Sequence, residues 1–234
     1  MSGARLAVAM DFTTVESFRG ALEKLDGLPV VLKVGLRTMP FLSLDEMKEL
    51  AERFDLFVDA KLHDIPTQVA EAAQVWESVG ARYLTVHLSG GHAMLSLAAQ
   101  AVRADRMKVA GVSVLTSLNG GDLGDLGVVP ADCASQVVRL IRLGLRAGIR
   151  TFVCSVGELA ALREELVEDF DDVEFITPGL VMGSEGAHSD QSRVFTVEDA
   201  LREGADVLVM GRSIWKSADP RKAAAAVIEK LARA

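Results

Sequence analysis

Cysteine is nearly absent: Cys133 and Cys154 are the two in 234 residues. With no CxxC pair and no histidine-rich cluster, the chain offers no disulfide framework and no thiolate–imidazole metal site. Both cysteines read as small buried hydrophobes of a cytoplasmic protein. Basic runs are missing too. Against 33 Asp and Glu stand 25 Lys and Arg, giving a formal charge of −8 and a pI of about 5.1. That balance argues against nucleic acid or an anionic membrane as a partner, so an anionic ligand needs a local cluster of positive groups. No apolar stretch approaches the roughly 18 residues of a membrane span. Arg5, ahead of a short apolar run ending at Asp11, reads as the start of a first strand rather than a signal peptide. No low-complexity stretch or Pro/Ser-rich linker divides the sequence. Half of it is hydrophobic, so residues 1–234 are expected to form one domain with a substantial core.

Short apolar runs alternate with longer amphipathic stretches. The strand candidates are Leu6–Met10, Val30–Val34, Leu56–Ala60, Tyr83–His87, Val109–Val114, Thr151–Cys154, Val173–Ile176 and Val207–Met210. Helix-period segments between and after them include Val15–Leu25, Gln68–Val79, His92–Ala104, Cys133–Ala147, Glu158–Val167 and Asp219–Ala232. Eight strand–helix units in about 230 residues match a single (β/α)8 TIM barrel. A doubly wound open sheet has the same alternation, and periodicity does not separate the two.

In a barrel, active-site residues belong at the C-terminal ends of strands and in the loops that follow. Asp11 ends the first strand, Lys33 sits near the end of the second, and Asp59 and Lys61 end the third. Side chains alternate along a strand, so Ala7, Ala9 and Asp11 share a face, as do Val31 and Lys33, and Asp59 and Lys61. Asp64 follows, and Pro66 suits the first turn of the next helix. Burying charges is costly unless they are paired, so such a gathering at strand ends points to catalysis.

A second feature lies at the seventh and eighth units. The connection Thr177 to Phe195 is long for a βα loop and holds Pro178-Gly179, Gly183, Gly186 and Asp190-Gln191-Ser192-Arg193. Its small residues suit a lid with backbone amides free to face a ligand. Gly211-Arg212-Ser213-Ile214 follows the eighth strand, where barrel enzymes often bind phosphate. The Arg212 guanidinium offers a fork of donors fitted to phosphate oxygens.

These motifs, with Leu32-Lys33-Val34-Gly35, Asp59-Ala60-Lys61-Leu62-His63-Asp64-Ile65-Pro66 and Leu115-Thr116-Ser117, carry a resemblance from end to end. The chain resembles the orotidine 5′-phosphate decarboxylases of bacterial type. The D-x-K-x-x-D core is shared with related barrel decarboxylases and aldolases; the following Ile-Pro and the strand-two lysine make the match more specific. The resemblance implies that Lys61 donates the proton to C6 of the pyrimidine and that Asp59 lies against the departing carboxylate. Lys33 would hold the network and contact the ribose, Asp11 the ribose hydroxyls, and Thr116 the pyrimidine side. Gln191, Gly211 and Arg212 would grip the phosphate, and Ile65, Thr67, Gln68 and Pro178 complete the substrate-binding set. Asp64 would reach across the interface of a homodimer into the partner's site. The implied reaction is conversion of orotidine 5′-phosphate to UMP, with no cofactor and no metal.

Three positions depart from the family pattern. Val181 stands where many bacterial members have an arginine. Gln68 replaces a threonine after Ile-Pro, with Thr67 beside it. The seventh loop is about one residue longer, with His188 and Ser189 before Asp190-Gln191. These changes bear on affinity more than on reaction type.

Two rival functions remain. A magnesium-dependent sugar-phosphate decarboxylase or aldolase of the same superfamily would need an acidic residue where Lys33 stands, and a cation repels Mg²⁺. A catalytically silent nucleotide-binding barrel would be expected to have lost part of the charged set, yet Lys33, Asp59, Lys61 and Asp64 are all present. His63 reads as structural, His87 as either packing or site lining, and His92 and His188 as solvated. Trp76 and Trp215 read as core or interface. Asn119-Gly120-Gly121-Asp122 reads as a turn able to serve a lid, and Glu164–Asp172 as a solvated helix end.

Overall fold

A computed structural model describes residues 3–166, 172–182 and 195–233. In chain order the strands are β1 (Arg5–Ala9), β2 (Val31–Gly35), β3 (Asp55–Leu62), β4 (Tyr83–His87), β5 (Lys108–Val112), β6 (Thr151–Val153), β7 (Glu174–Pro178), β8 (Leu180–Val181), β9 (Phe195–Thr196) and β10 (Val207–Met210). The helices are α1 (Val15–Leu25), α2 (Leu44–Arg53), α3 (Pro66–Val79), α4 (Gly91–Gln100), α5 (Gly120–Asp125), α6 (Cys133–Arg146), α7 (Val156–Glu165), α8 (Val197–Arg202), α9 (Arg212–Trp215) and α10 (Pro220–Arg233).

Eight strands close into a parallel barrel in the order β1-β10-β7-β6-β5-β4-β3-β2, and β8 pairs with β9 beside it. Closure removes the open-sheet alternative. It follows from β1 pairing on both sides, Ala7 with Val31 of β2 and with Val209 of β10. A closed sheet leaves no edge, and its strands feed alternate side chains to two cores. Leu6, Val8 and Met10 join the outer core under the helices, while Ala7 and Ala9 join Val31, Phe57, Tyr83, Ala110, Ile176 and Val209 inside the barrel. Alanines opposite Phe57 and Tyr83 let the large rings fill a narrow interior.

The N-terminal mouth is closed by first residues of neighbouring strands. Glu174 accepts from Tyr83 Oη at 3.0 Å and from Thr151 Oγ1 at 3.2 Å, and Lys108 Nζ lies 3.0 Å away. Burial and the Glu174 carboxylate push the Tyr83 phenol well above its usual range, so it remains a donor. This end is structural, which leaves the opposite mouth for chemistry.

Helix ends follow local chemistry. Ser43 and Glu46 form a reciprocal capping box on α2, Pro66 starts α3, and Gly80 ends it at φ 96. Several boundaries differ from expectation. β3 runs to Leu62 rather than Ala60, and α4 stops at Gln100 rather than Ala104. The Asn119 segment is more than a turn: Asn119 and Asp122 form a capping box that starts α5. Cys133 and Cys154 are both free thiols. Trp76 and Trp215 pack against the outer core. No helix among the described residues is long and apolar enough to cross a membrane. Gly183, Gly186, His188, Ser189, Asp190, Gln191, Ser192 and Arg193 lie outside the described residues, as does the middle of the Glu164–Asp172 cluster.

Candidate active site

At the C-terminal mouth a cavity of about 780 Å³ opens over the inner core. Its wall includes Asp11, Lys33, Asp59, Lys61, Thr116, Pro178, Gly211 and Arg212, so eight residues singled out in the sequence meet at one place.

The centre is a carboxylate between two ammonium groups. Lys33 Nζ donates to Asp59 Oδ2 at 3.0 Å, and Lys61 Nζ donates to Asp59 Oδ1 at 2.7 Å. Asp11 Oδ1 lies 3.7 Å from Lys33 Nζ on the far side. Lys33 is 8% exposed and Asp59 9%. Burial alone would push the Asp59 carboxyl up. Attraction to Lys33 and Lys61, with their hydrogen bonds, outweighs it and holds the carboxyl below its ordinary range. Asp59 is therefore ionised at neutral pH.

Backbone geometry makes this array fit. Lys33 and Asp59 arrive on adjacent strands, and Gly35 is paired with Asp59 in register. A Cβ on Gly35 would come within 3.3 Å of Asp11 Oδ1 and 3.4 Å of Lys33 Nζ, so a side chain there would press on the charges. Lys61 does not reach Asp59 by the simple alternation expected of a strand. It sits at φ 49, the one positive φ outside glycine among the described residues, within a register shift between β3 and β4. Such a conformation is strained for a non-glycine residue and clusters at functional sites. Its N–H is held by Thr85 Oγ1 at 2.8 Å.

The loop bearing Asp11 is pinned by Thr38, whose hydroxyl donates to the Met10 carbonyl and accepts from the Phe12 N–H at 3.1 Å. Trp215 Nε1–H donates to the Ala9 carbonyl at 2.8 Å, and Ser213 Oγ donates to Leu180 O at 3.2 Å. These two bonds fix α9, and with it Arg212, against β1 and β8. Gly211 is needed for that approach, because a Cβ there would stand 3.1 Å from the Ala9 methyl.

Other expected residues lie elsewhere. Asp64, Ile65, Thr67 and Gln68 are exposed and outside the cavity wall, and Asp64 accepts from the Ile65 N–H at 2.7 Å. Gln191 lies outside the described residues. His87 is not part of the cavity wall but packs against His63, ring centroids 5.7 Å apart. Burial, then His63 and Lys61, hold its imidazole below the usual range. Lys216, which no sequence motif marks, shares the cavity wall with Arg212 four residues earlier. The i,i+4 spacing was visible, but α9 has four residues, too few for a helical period to stand out.

The residues do not suit a divalent ion at the centre. The Lys33 ammonium already occupies the gap between Asp11 and Asp59, and no group of three His, Cys, Asp or Glu able to hold a metal occurs among the described residues.

A closed (β/α)8 barrel with an ammonium–carboxylate–ammonium array at its C-terminal mouth defines a barrel enzyme. The chain belongs to the Orotidine 5'-phosphate decarboxylase / HUMPS family, whose model matches residues 4–227. It is 38% identical over 229 residues to a protein from Opitutus terrae named orotidine 5'-phosphate decarboxylase, covering 97% of each chain. A Neisseria meningitidis protein of the same name is 37% identical over 91% of this chain and 86% of its own. A crystal structure of orotidine 5'-phosphate decarboxylase from Lactobacillus acidophilus superimposes with a TM-score of 0.84 at 28% identity, covering 97% of this chain and 99% of that one.

Proposed function

We propose that this protein decarboxylates orotidine 5′-phosphate to UMP, the last step of pyrimidine nucleotide synthesis, in the cytoplasm. The observation that carries this reading is the Lys33–Asp59–Lys61 array at the cavity centre. Heterolysis of the C6–carboxylate bond releases CO₂ and leaves an electron pair on C6 with no conjugated sink. Catalysis must then favour negative charge at C6 as it develops, and a fixed ammonium in a water-poor pocket does so. Lys61 supplies that charge and then its proton, forming the C6–H bond of UMP; the resulting amine recovers a proton from solvent. Asp59 lies beside the carboxylate that leaves. Lys33 and Asp11 take the ribose, and Thr116 and Pro178 border the base.

The phosphate is assigned to Gly211, Arg212 and Gln191, the last of which lies outside the described residues, and Val181 stands in the place of an arginine. Lys216 supplies a further cation on the same wall. Its ammonium offsets the missing guanidinium, though without the bidentate fork. Phosphate binding far from C6 supplies energy to orient the ring.

The active unit is a homodimer in which Asp64 completes the partner's site, with Ile65, Thr67 and Gln68 beside it. Supporting this, Asp64 is exposed and absent from the wall of its own cavity, Ile65 beside it is 62% exposed, and Leu36 after the neighbouring strand is 64% exposed. Exposed apolar side chains beside a charge that takes no part in its own cavity wall suit an isologous contact.

The test is the ultraviolet absorbance change of orotidine 5′-phosphate on decarboxylation, with and without EDTA. Rapid turnover insensitive to chelator is expected. No turnover, alongside Mg²⁺-dependent activity on sugar phosphates, would overturn the assignment.

A further inference from the structure

β3 and β4 pair Val58 with Leu84 and next Leu62 with Val86, so Asp59, Ala60 and Lys61 together face a single residue, Thr85. A bulge of this kind interrupts the ladder, leaves backbone groups in need of partners and re-aims a side chain. Lys61 shows the last two effects. Its φ of 49 turns the chain, and its N–H reaches Thr85 Oγ1 at 2.8 Å. The same hydroxyl donates to Asp59 Oδ1 at 3.0 Å, the oxygen that also receives Lys61 Nζ. A hydroxyl has one proton to give and lone pairs to receive. Thr85 uses both, and at 1% exposure it is sealed from bulk water.

We propose that Thr85 is a positioning residue for the proton donor, its hydroxyl locking the main chain of Lys61 to the carboxylate of Asp59 so that the ammonium is held at one point of the cavity. The inference rests on the decarboxylase reading above. Thr85 is absent from the cavity wall, so it acts through its two partners rather than on substrate. The branched side chain suits this work, since Thr on a strand has restricted χ1 and its hydroxyl direction is set by packing. Valine has the same shape and strand preference but no hydroxyl. In Thr85→Val the bulge would persist with a buried N–H and a carboxylate oxygen each one partner short.

The experiment compares wild type, Thr85→Val and Thr85→Ser in orotidine 5′-phosphate turnover, with UMP affinity measured by calorimetry. In Thr85→Val, kcat is expected to fall about 10- to 100-fold, the size of a lost hydrogen bond to a charged group. UMP affinity should stay within about threefold, because ground-state binding does not depend on the bulge. Thr85→Ser should recover most of the rate. Without substrate, exchange of the Lys61 amide followed by NMR should quicken in Thr85→Val and slow again in Thr85→Ser. Wild-type turnover in Thr85→Val would overturn the proposal, as would a serine variant no better than valine, or kcat and UMP affinity falling together. An inert wild type with a protected Lys61 amide would sink the decarboxylase reading instead, leaving the hydrogen bond without a reaction to serve.

Discussion

The Lys61 ammonium stands 2.7 Å from Oδ1 of Asp59, two residues earlier on the same strand, and gets there through a left-handed backbone turn. Residues i and i+2 of a regular strand are on one face but about 7 Å apart at Cα, pointing in parallel. The turn at Lys61 replaces that parallel arrangement by a direct ion pair. Lys33 approaches the other oxygen from the next strand at 3.0 Å. One carboxylate thereby fixes two cations facing a common space.

Lys61→Ala should abolish turnover while UMP still binds. Loss of a positioned general acid costs about 100- to 10,000-fold, and here the same group also supplies the stabilising charge. Single-turnover assays with calorimetric titration of UMP separate chemistry from binding. Residual activity above a hundredth of wild type would contradict Lys61 as the proton donor.

Mixing Lys61→Ala with Asp64→Ala chains tests the shared site. A hybrid dimer has one site with both Lys61 and Asp64 and one with neither. With random exchange of equal amounts, about a quarter of wild-type activity should return. Subunit exchange detected by labelled chains without any return of activity would show that Asp64 does not act across an interface.

Much of the fold was written in periodicity. Ala7, Ala9 and Val31 alternate with bulkier outward residues, so Lys33 and Asp59 could be assigned to the inner face from sequence, and both are there. The bulge was not legible. Asp-Ala-Lys-Leu contains no glycine to signal a positive φ, and the strain at Lys61 is held by a tertiary contact to Thr85 rather than by local preference. Thr85 itself, between Leu84 and Val86, reads as a β-branched strand former. The start of α5 was hidden for another reason. Gly120 and Gly121 disfavour helix, and only the reciprocal bonds of Asn119 and Asp122 tip the segment into one.

Lys216→Ala should weaken substrate capture rather than chemistry on bound substrate. An exposed ammonium contributes through long-range attraction and a salt-screened contact, so kcat/KM should fall about 5- to 50-fold at low ionic strength. The deficit should shrink as salt is raised. Placing arginine at Val181 in the same background should restore part of the loss. An unchanged KM for orotidine 5′-phosphate at low salt would show that Lys216 takes no part in holding phosphate.

Stability against acid should carry the mark of Asp59. Its carboxyl is held below the ordinary value of 3.8 in the folded protein, where Lys33 and Lys61 outweigh the effect of burial. Between the folded and unfolded values the unfolded chain binds more protons, so stability rises with pH across that window. The contribution is fully present above about pH 4 and is lost as pH falls through the folded value. Asp59→Asn has nothing to titrate at this position, while the remaining carboxylates are common to both proteins. Urea unfolding of the two proteins between about pH 3 and 6 should therefore show wild type losing stability relative to Asp59→Asn on the acid side only. A difference that stays constant across the range would mean that the two lysines do not depress the Asp59 carboxyl, and the charge array at the barrel mouth would need to be redrawn.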